Sequence, residues 1–370
     1  MRIAIIADPI DNQKAGIHYF TREFLTGLGK LESSNEYIAI RLSPAPEIEG
    51  IENIVVRNYP QIPGYKAYRM FIGLPRKLSK MKLDAVVEPA HFGPFNLPSR
   101  IKRVTVIHDL TPINNPYYHR FHSQLLQRIF LKGILKRASL TIANSRSTLE
   151  DINGFLPGTT GKSAFIYLGK DPIFRRTIDI DLLKWKYGLE QPYILYMGTI
   201  EPRKNLITLL RAFEVLKKQY TSRLRLVLGG QVGWKSKAFF DALDSHPYNE
   251  EIALLGYVSR KDMPAIYSQA KVFVFPSLYE GFGMPVLEAM SCATPCIVSN
   301  NSSLPEVGGL AADTFDALDF NTLARLIHRY ETEKDYRDMR SVQALEQSRQ
   351  FSWDNYAKEF DHLMTNLGKG

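Results

Sequence analysis

Two cysteines are all that the 370 residues contain, Cys292 and Cys296, four apart and without further thiol or imidazole partners. That excludes a disulfide framework and a thiolate metal set, and a reducing compartment is the simplest context. No run approaches the ~18 consecutive apolar residues that a membrane-spanning helix needs. The opening MRIAIIADPI turns polar too early for a signal peptide and reads as a buried first strand, so a cytoplasmic protein is expected. G-x-G-x-x-G is missing after that strand, where ADPIDNQKAGIHYF stands instead, which argues against a dinucleotide oxidoreductase. An Asp-x-Asp at a strand end, as a metal-dependent sugar transferase would want, is also missing. Asp179-Ile180-Asp181 lies in a linker-like stretch before LLKWKYG and reads as an acid pair at a helix start.

Acid is scarce in particular places. Residues 1–168 hold 22 Lys and Arg against 13 Asp and Glu, whereas residues 169–370 hold 25 of each. The whole net charge of +9 therefore belongs to the first half. Between Glu52 and Asp84 stand Arg57, Lys66, Arg69, Arg76, Lys77, Lys80 and Lys82 with no acid. Between Asp109 and Glu150 stand Arg120, Arg128, Lys132, Lys136, Arg137 and Arg146, again with none. Such a field suits a polyanion or an anionic membrane face, and a solvated basic surface accounts for it equally well. Tyr65, Tyr68, Met70, Phe71, Ile72 and Leu74 interleave the first stretch. Rings of that kind could sit at headgroup depth while the charges meet lipid.

What is present throughout is alternation of short β-branched runs with helical periods, the pattern of parallel α/β construction. Strands are predicted at 3–7, 37–42, 53–56, 85–87, 104–107, 140–143 and 164–167, with a helix over 117–137 in which Arg128, Lys132 and Lys136 line one face. The pattern breaks near 169–190, the best linker, and restarts with strands at 193–197, 224–228, 252–255, 272–275 and 296–299. Helices are predicted at 205–219, 260–269 and 285–290, and one closing helix near 355–367. The division is an N-terminal domain 1–168 and a C-terminal domain 169–351, with a helix at about 352–370 free to return to the first.

The densest motif is PSLYEGFGMPVLEAM, residues 276–290. It follows a buried strand, and Pro285 marks a helix start. Glu280 and Glu288 flank GFG, whose small residues let backbone approach a ligand, and a helix N-terminus favours phosphate. Upstream, GTIEPRKNL at 198–206 follows the first strand of this half and puts Arg203 and Lys204 just before a helix. There they oppose the dipole unless an anion faces them.

The order GTIEPRKN, LVLGG, LLGYVS, FVFPSLYEGFGMPVLEAM, SNNSSLPEV resembles the retaining glycosyltransferases of family 4, the glycogen-synthase-like superfamily. The resemblance implies the GT-B fold, α/β with two Rossmann-like domains facing each other across a cleft. It implies that Glu280 holds the hydroxyls of a donor sugar and takes part in catalysis, that Glu288 holds the ribose, and that Gly281, Phe282, Gly283 and Met284 touch sugar and phosphate. By the same resemblance Arg203 and Lys204 clamp the diphosphate, and Tyr257 and Val258 line the base pocket. In the first half, Gly16 matches a glycine loop near the phosphates, although the usual doubled glycine is Ala15-Gly16 here. His108, in VTVIHDL, matches a catalytic position, and Asn144-Ser145 a further ligand-side one. The sequence departs from the family at Ala293, where glycine is usual.

The implied partners are a nucleotide sugar, best GDP-mannose with a UDP-hexose as alternative, and a lipid-linked or polysaccharide acceptor. No cofactor or metal is expected, and no nucleic acid. A peripheral position on the inner face of the membrane follows from the basic half. A nucleotide-sugar epimerase of the same fold is the rival enzyme, but its acid–base pair would have to be Asp8 and Glu88, which are poor candidates. A basic nucleic-acid binder is the rival outside enzymology, although no known module for it is recognisable.

Overall fold

The computed structural model describes residues 1–12, 16–44, 46–59, 61–90, 96–118 and 121–369. Of the residues singled out above, Ala15 and Arg120 lie outside this set, as does the side chain of Lys66.

Two compact units divide the chain: Met1–Gly169 with Ser352–Gly370, and Lys170–Phe351. In the first, β1 (Arg2–Ile6), β2 (Glu36–Arg41), β3 (Glu52–Val55), β4 (Ala85–Glu88), β5 (Lys102–Ile107), β6 (Leu140–Ala143) and β7 (Ser163–Phe165) form one sheet. Its order is β3-β2-β1-β4-β5-β6-β7, and every pairing is parallel. Strands such as β4 (AVVE) are buried along their whole length, as sheets covered by helices on both faces require. The helix Trp353–Lys369 packs in this unit against the helix Ile17–Gly29. Phe24 meets Tyr356 and Phe360 there at ring separations of 5.2 and 4.7 Å.

The second unit repeats the plan with β8 (Tyr193–Met197), β9 (Arg225–Gly229), β10 (Ile252–Gly256), β11 (Val272–Phe275), β12 (Cys296–Ser299) and β13 (Ala312–Phe315). The order is β10-β9-β8-β11-β12-β13, all parallel. Sequence periodicity does not reveal β13, because only Ala312 and Phe315 of its four residues are buried. It also does not reveal the helix Lys334–Ser348, which buries only Ala344 and Ser348.

The helix expected over 117–137 begins at Phe121, after a short 3-10 turn at Pro116–Tyr118. The basic stretch near residue 70 is a helix from Tyr65 to Lys80 with a π turn at Arg69–Gly73. Pro75 explains the interruption, since it cannot donate the i→i−4 bond that a regular helix needs there. The turn re-aims the side chains and corrects part of the surface expected from sequence. Arg69 points inward, buried and ion-paired to Asp8, and Leu74 joins the core. Tyr68, Ile72, Arg76, Lys77 and Lys80 remain exposed. Among the described residues no helix is long and apolar enough to cross a membrane.

The departure at Ala293 has a conformational meaning. The helix Met284–Ser291 ends in a Schellman motif, with Thr294 N donating to Ala289 O and Ala293 N to Met290 O, both at 3.0 Å. Ala293 is the C′ residue and takes φ 59°, a conformation that glycine adopts without cost. Ala293→Gly should therefore stabilise the protein by about 0.5–1 kcal/mol and raise the melting temperature by roughly 1–4 °C in calorimetry. A lower melting temperature would show that the alanine methyl packs productively at that turn.

Candidate active site

The order of the second sheet reverses between β8 and β11, and an open α/β sheet binds ligands outside the carboxyl ends of its strands at such a point. The loops leaving these two strands are GTIEPRKN and PSLYEGFG, so adjacent strands bring together residues 76 apart in sequence. Leu278 N donates to Arg203 O at 2.9 Å, joining the loops directly. Asn205 holds φ 56° between them, with its Nδ2 donating to Pro276 O at 3.1 Å and Ala317 O at 2.6 Å. The loop after β9 closes from the other side: a Cβ on Gly230 would stand 2.0 Å from Gly198 O, so only glycine permits this approach.

Four charges converge here. Lys204 Nζ reaches Glu280 Oε1 at 2.5 Å and lies 4.9 Å from the centre of the Phe275 ring. Arg203 sets Nη1 against Glu280 Oε2 at 2.9 Å and Tyr279 O at 2.6 Å, and Nη2 against Glu201 Oε1 at 2.7 Å. Ser277 Oγ adds a 2.6 Å bond to Glu280 Oε1. Glu280, Lys204 and Glu201 are all buried. Burial alone would raise the carboxyl of Glu280, but Lys204, Arg203 and the bond from Ser277 outweigh it and hold it at about 2. Burial and then Arg203 draw the Lys204 ammonium below its usual range, against the pull of Glu280. Glu280 is thus ionised at any working pH. The anions facing these helix-start cations are Glu280 and Glu201, so this four-charge set carries no net charge.

Serines fix the backbone beneath. Ser303 Oγ donates to Glu280 O at 2.9 Å and Phe282 O at 2.8 Å, and Ser302 Oγ accepts from Glu280 N at 2.8 Å. Phe282 packs on Phe351 with ring centroids 5.8 Å apart, leaving its main chain at the loop. Gly281 is buried, and Gly283 holds φ 108° as the N-cap of the helix that Met284 begins. Sequence reasoning placed Ser302 and Ser303 inside a family segment without a role, and missed Glu201, Ser277 and Tyr267. A run of short hydroxyl side chains opposite a Gly-Phe-Gly turn is the signal that could have found the serines.

Glu288 lies in the second turn of its helix. Its Oε2 accepts from Tyr267 OH at 3.0 Å, and Arg260, itself 2.5 Å from Asp171, stands near. Burial pushes this carboxyl up to about 7, with Arg260 and Tyr267 opposing. After β10, Val258 is buried while Tyr257 is 70% exposed and open to a flat ligand.

Gly16 and His108 belong to the other unit. Gly16 is exposed at the N-cap of the helix Ile17–Gly29. His108 follows β5, with Nε2 2.7 Å from Pro89 O and its ring 4.7 Å from Phe20. A carbonyl only accepts, so Nε2 carries the proton, and burial keeps the imidazole pKa low. Asn144 is buried, and Ser145 caps the next helix by accepting from Thr148 N at 3.0 Å. Asp8 and Glu88 are tied to Arg69 and Arg103. Asp179 accepts from Leu182 N at 2.9 Å, a helix-start contact. Among the described residues no three His, Cys, Asp or Glu side chains are grouped to hold a metal ion.

Residues 179–345 match the family described as glycosyl transferases group 1. The O-antigen chain mannosyltransferase B of Escherichia coli is 30% identical over 371 aligned positions, covering 96% of this chain and 97% of that protein. The serotype-specific mannosyltransferase WbdA of the same organism is 32% identical over 270 positions, or 69% of this chain; they cover 32% of that longer protein. The crystal structure of the Anabaena protein HepE in complex with UDP-glucose superposes with a TM-score of 0.77 at 16% identity, each chain covered completely. At that identity the likeness concerns the fold, which is the α/β GT-B class expected from sequence.

The raised carboxyl of Glu288 has a consequence for stability. The folded protein holds this proton more tightly than the unfolded chain does. The stabilisation is complete below about 4.5 and is lost as pH rises through about 7. Glu288→Gln removes the titration. Relative to the parent, its melting temperature should therefore be higher at pH 8 than at pH 5, with the crossover centred between these values. An unchanging difference across that range would mean that Glu288 titrates as an ordinary surface acid.

Proposed function

This chain belongs to the glycosyl transferases of group 1, and from that premise we propose that it transfers mannose from GDP-mannose to a lipid-linked or polysaccharide acceptor, with retention at the anomeric carbon and without a divalent metal. The observation that carries the reading is the Arg203–Lys204–Glu280 cluster at the switch point of the second sheet. A diphosphate entering there takes the place that Glu280 occupies on the two cations, as a fork on Arg203 and a point charge on Lys204. Glu280, released, accepts hydrogen bonds from the sugar hydroxyls, and Glu288 accepts them from the ribose. Gly281 to Met284 lie along sugar and phosphate, and Tyr257 and Val258 flank the base; Gly16 is kept as a donor-binding residue of the first unit on the family resemblance alone. The two cations supply the charge that a leaving diphosphate needs, which is the ground for expecting turnover to survive chelator. His108, neutral with its proton on Nε2, is the residue of the first unit proposed to be catalytic. The mannosyltransferase relative supports mannose, and the UDP-glucose complex of a protein of this fold makes a UDP-hexose the second reading.

Transfer from GDP-mannose should fall by ~10²–10³ in Glu280→Ala and in Lys204→Ala while the melting curve stays cooperative. A folded Glu280→Ala variant with near-parental turnover would remove the assignment. Thermal stabilisation by UDP and none by GDP would move the donor to a UDP-sugar.

The same reading puts the protein on the cytoplasmic face of the membrane through its first unit. Tyr68, Ile72, Leu125 and Ile129 are exposed there beside Arg76, Lys77, Lys80, Arg128 and Lys132. Each Lys or Arg near an anionic leaflet contributes ~1 kcal/mol, so these five suffice for reversible docking. In sedimentation, the protein should bind anionic but not neutral vesicles and release at high salt. Reversal of Arg76, Lys77 and Lys80 to Glu should abolish this with GDP binding unchanged. Indifference of the parent protein to anionic vesicles at low salt would point to a soluble acceptor.

A further inference from the structure

Glu201 presents a different problem from the other carboxylates. Its side chain is 2% exposed, and Oε1 is held by Arg203 Nη2 at 2.7 Å. Oε2 is buried and finds no hydrogen-bond partner among the described residues. A buried charge with an orphan oxygen lowers stability, and an isosteric apolar side chain would serve the fold better. Nor is the main chain at Glu201 free to move away. Lys204 N donates to Glu201 O at 3.0 Å, Ile200 N to Gln231 O at 2.9 Å and Gly233 N to Ile200 O at 2.9 Å, pinning the loop on both sides.

We infer that Glu201 is a positioning residue of the donor site, the permanent counter-ion of Arg203, whereas Glu280 is the exchangeable one. The inference rests on the reading that a diphosphate displaces Glu280 from Arg203 and Lys204. In the free protein the two ends of the guanidinium are divided, Nη2 on Glu201 and Nη1 on Glu280. The division matters because a guanidinium with one carboxylate in reach closes on it with both forks. Without Glu201, Arg203 would clamp Glu280 in that bidentate way, and the donor would have to break a stronger pair. With Glu201 in place, Arg203 keeps its position after Glu280 lets go, so the donor meets a cation already aimed. The buried orphan oxygen is the stability cost of holding a carboxylate on Arg203.

The test titrates GDP, with UDP in parallel, into the full chain and four variants: Glu201→Gln, Glu201→Ala, Arg203→Ala and the double Glu201→Ala/Arg203→Ala. Glu201→Ala should weaken GDP about tenfold and raise the donor KM by a similar factor with kcat little changed. Glu201→Gln, which keeps an acceptor for Nη2 in the same shape, should lose only about two- to threefold and covers the case in which the alanine variant folds poorly. In the Arg203→Ala background, Glu201→Ala should have no further effect on the affinity. Additive losses in the double variant, or a Glu201→Ala protein that binds GDP as the parent does, would overturn the inference, since a merely structural carboxylate would not depend on Arg203. Parental affinity in Arg203→Ala itself would overturn the donor-site reading first, and this inference with it.

Discussion

Lys204 and Glu280 are both buried and meet at 2.5 Å, an ion pair between the loops that leave two neighbouring strands. Taking both charges out of water is unfavourable, and a close-packed apolar pair of the same volume would serve stability as well or better. Everything around the pair is arranged to tolerate it. Arg203 and Ser277 bond the second partner, the Phe275 ring faces the ammonium, and Ser302 and Ser303 hold the main chain on which Glu280 rides. The parallel order of the second sheet is what makes the meeting possible, because β8 and β11 are neighbours with their carboxyl ends on one side.

Such an arrangement is costly as architecture and useful as chemistry. A site for a diphosphate needs two fixed cations, yet two unpaired cations in a buried loop would destabilise the free protein. On the proposed reading, an internal carboxylate resolves the conflict by standing in for the ligand. Glu280 stays ionised down to about 2, so protonation does not release it in any working range, and release is left to a competing anion. Glu288 behaves differently: with its carboxyl near 7, hydrogen bonds from ribose hydroxyls would favour its ionised form and couple donor binding to proton release.

The parts of the fold legible in the sequence are those that bury continuous apolar runs, such as YILYM in β8 and VFVF in β11. β13 and the helix Lys334–Ser348 escape because each buries only two residues. The candidate site is half legible for a related reason. Glu280, Glu288, Arg203 and Lys204 stand in local motifs, but the pairing of Lys204 with Glu280 spans 76 residues and appears only when the strand order is known. The same blindness affects the basic stretch in the first unit. Arg69 looks like one more surface charge in a run without acids, while its partner Asp8 lies 61 residues upstream. Glu201 could be read within GTIEPRKN, but nothing local distinguishes a solvated glutamate from one buried against Arg203.

The central claim is that Glu280 holds the place of the donor diphosphate on Arg203 and Lys204. A crystal structure with GDP-mannose, or with UDP-glucose if GDP fails to bind, tests it most directly. The account predicts phosphate oxygens within hydrogen-bond distance of the Arg203 guanidinium and the Lys204 ammonium, Glu280 turned to the sugar hydroxyls, and Glu201 still on Arg203. A bound nucleotide sugar whose diphosphate lies elsewhere, with Lys204 and Arg203 still closed on Glu280, would contradict it.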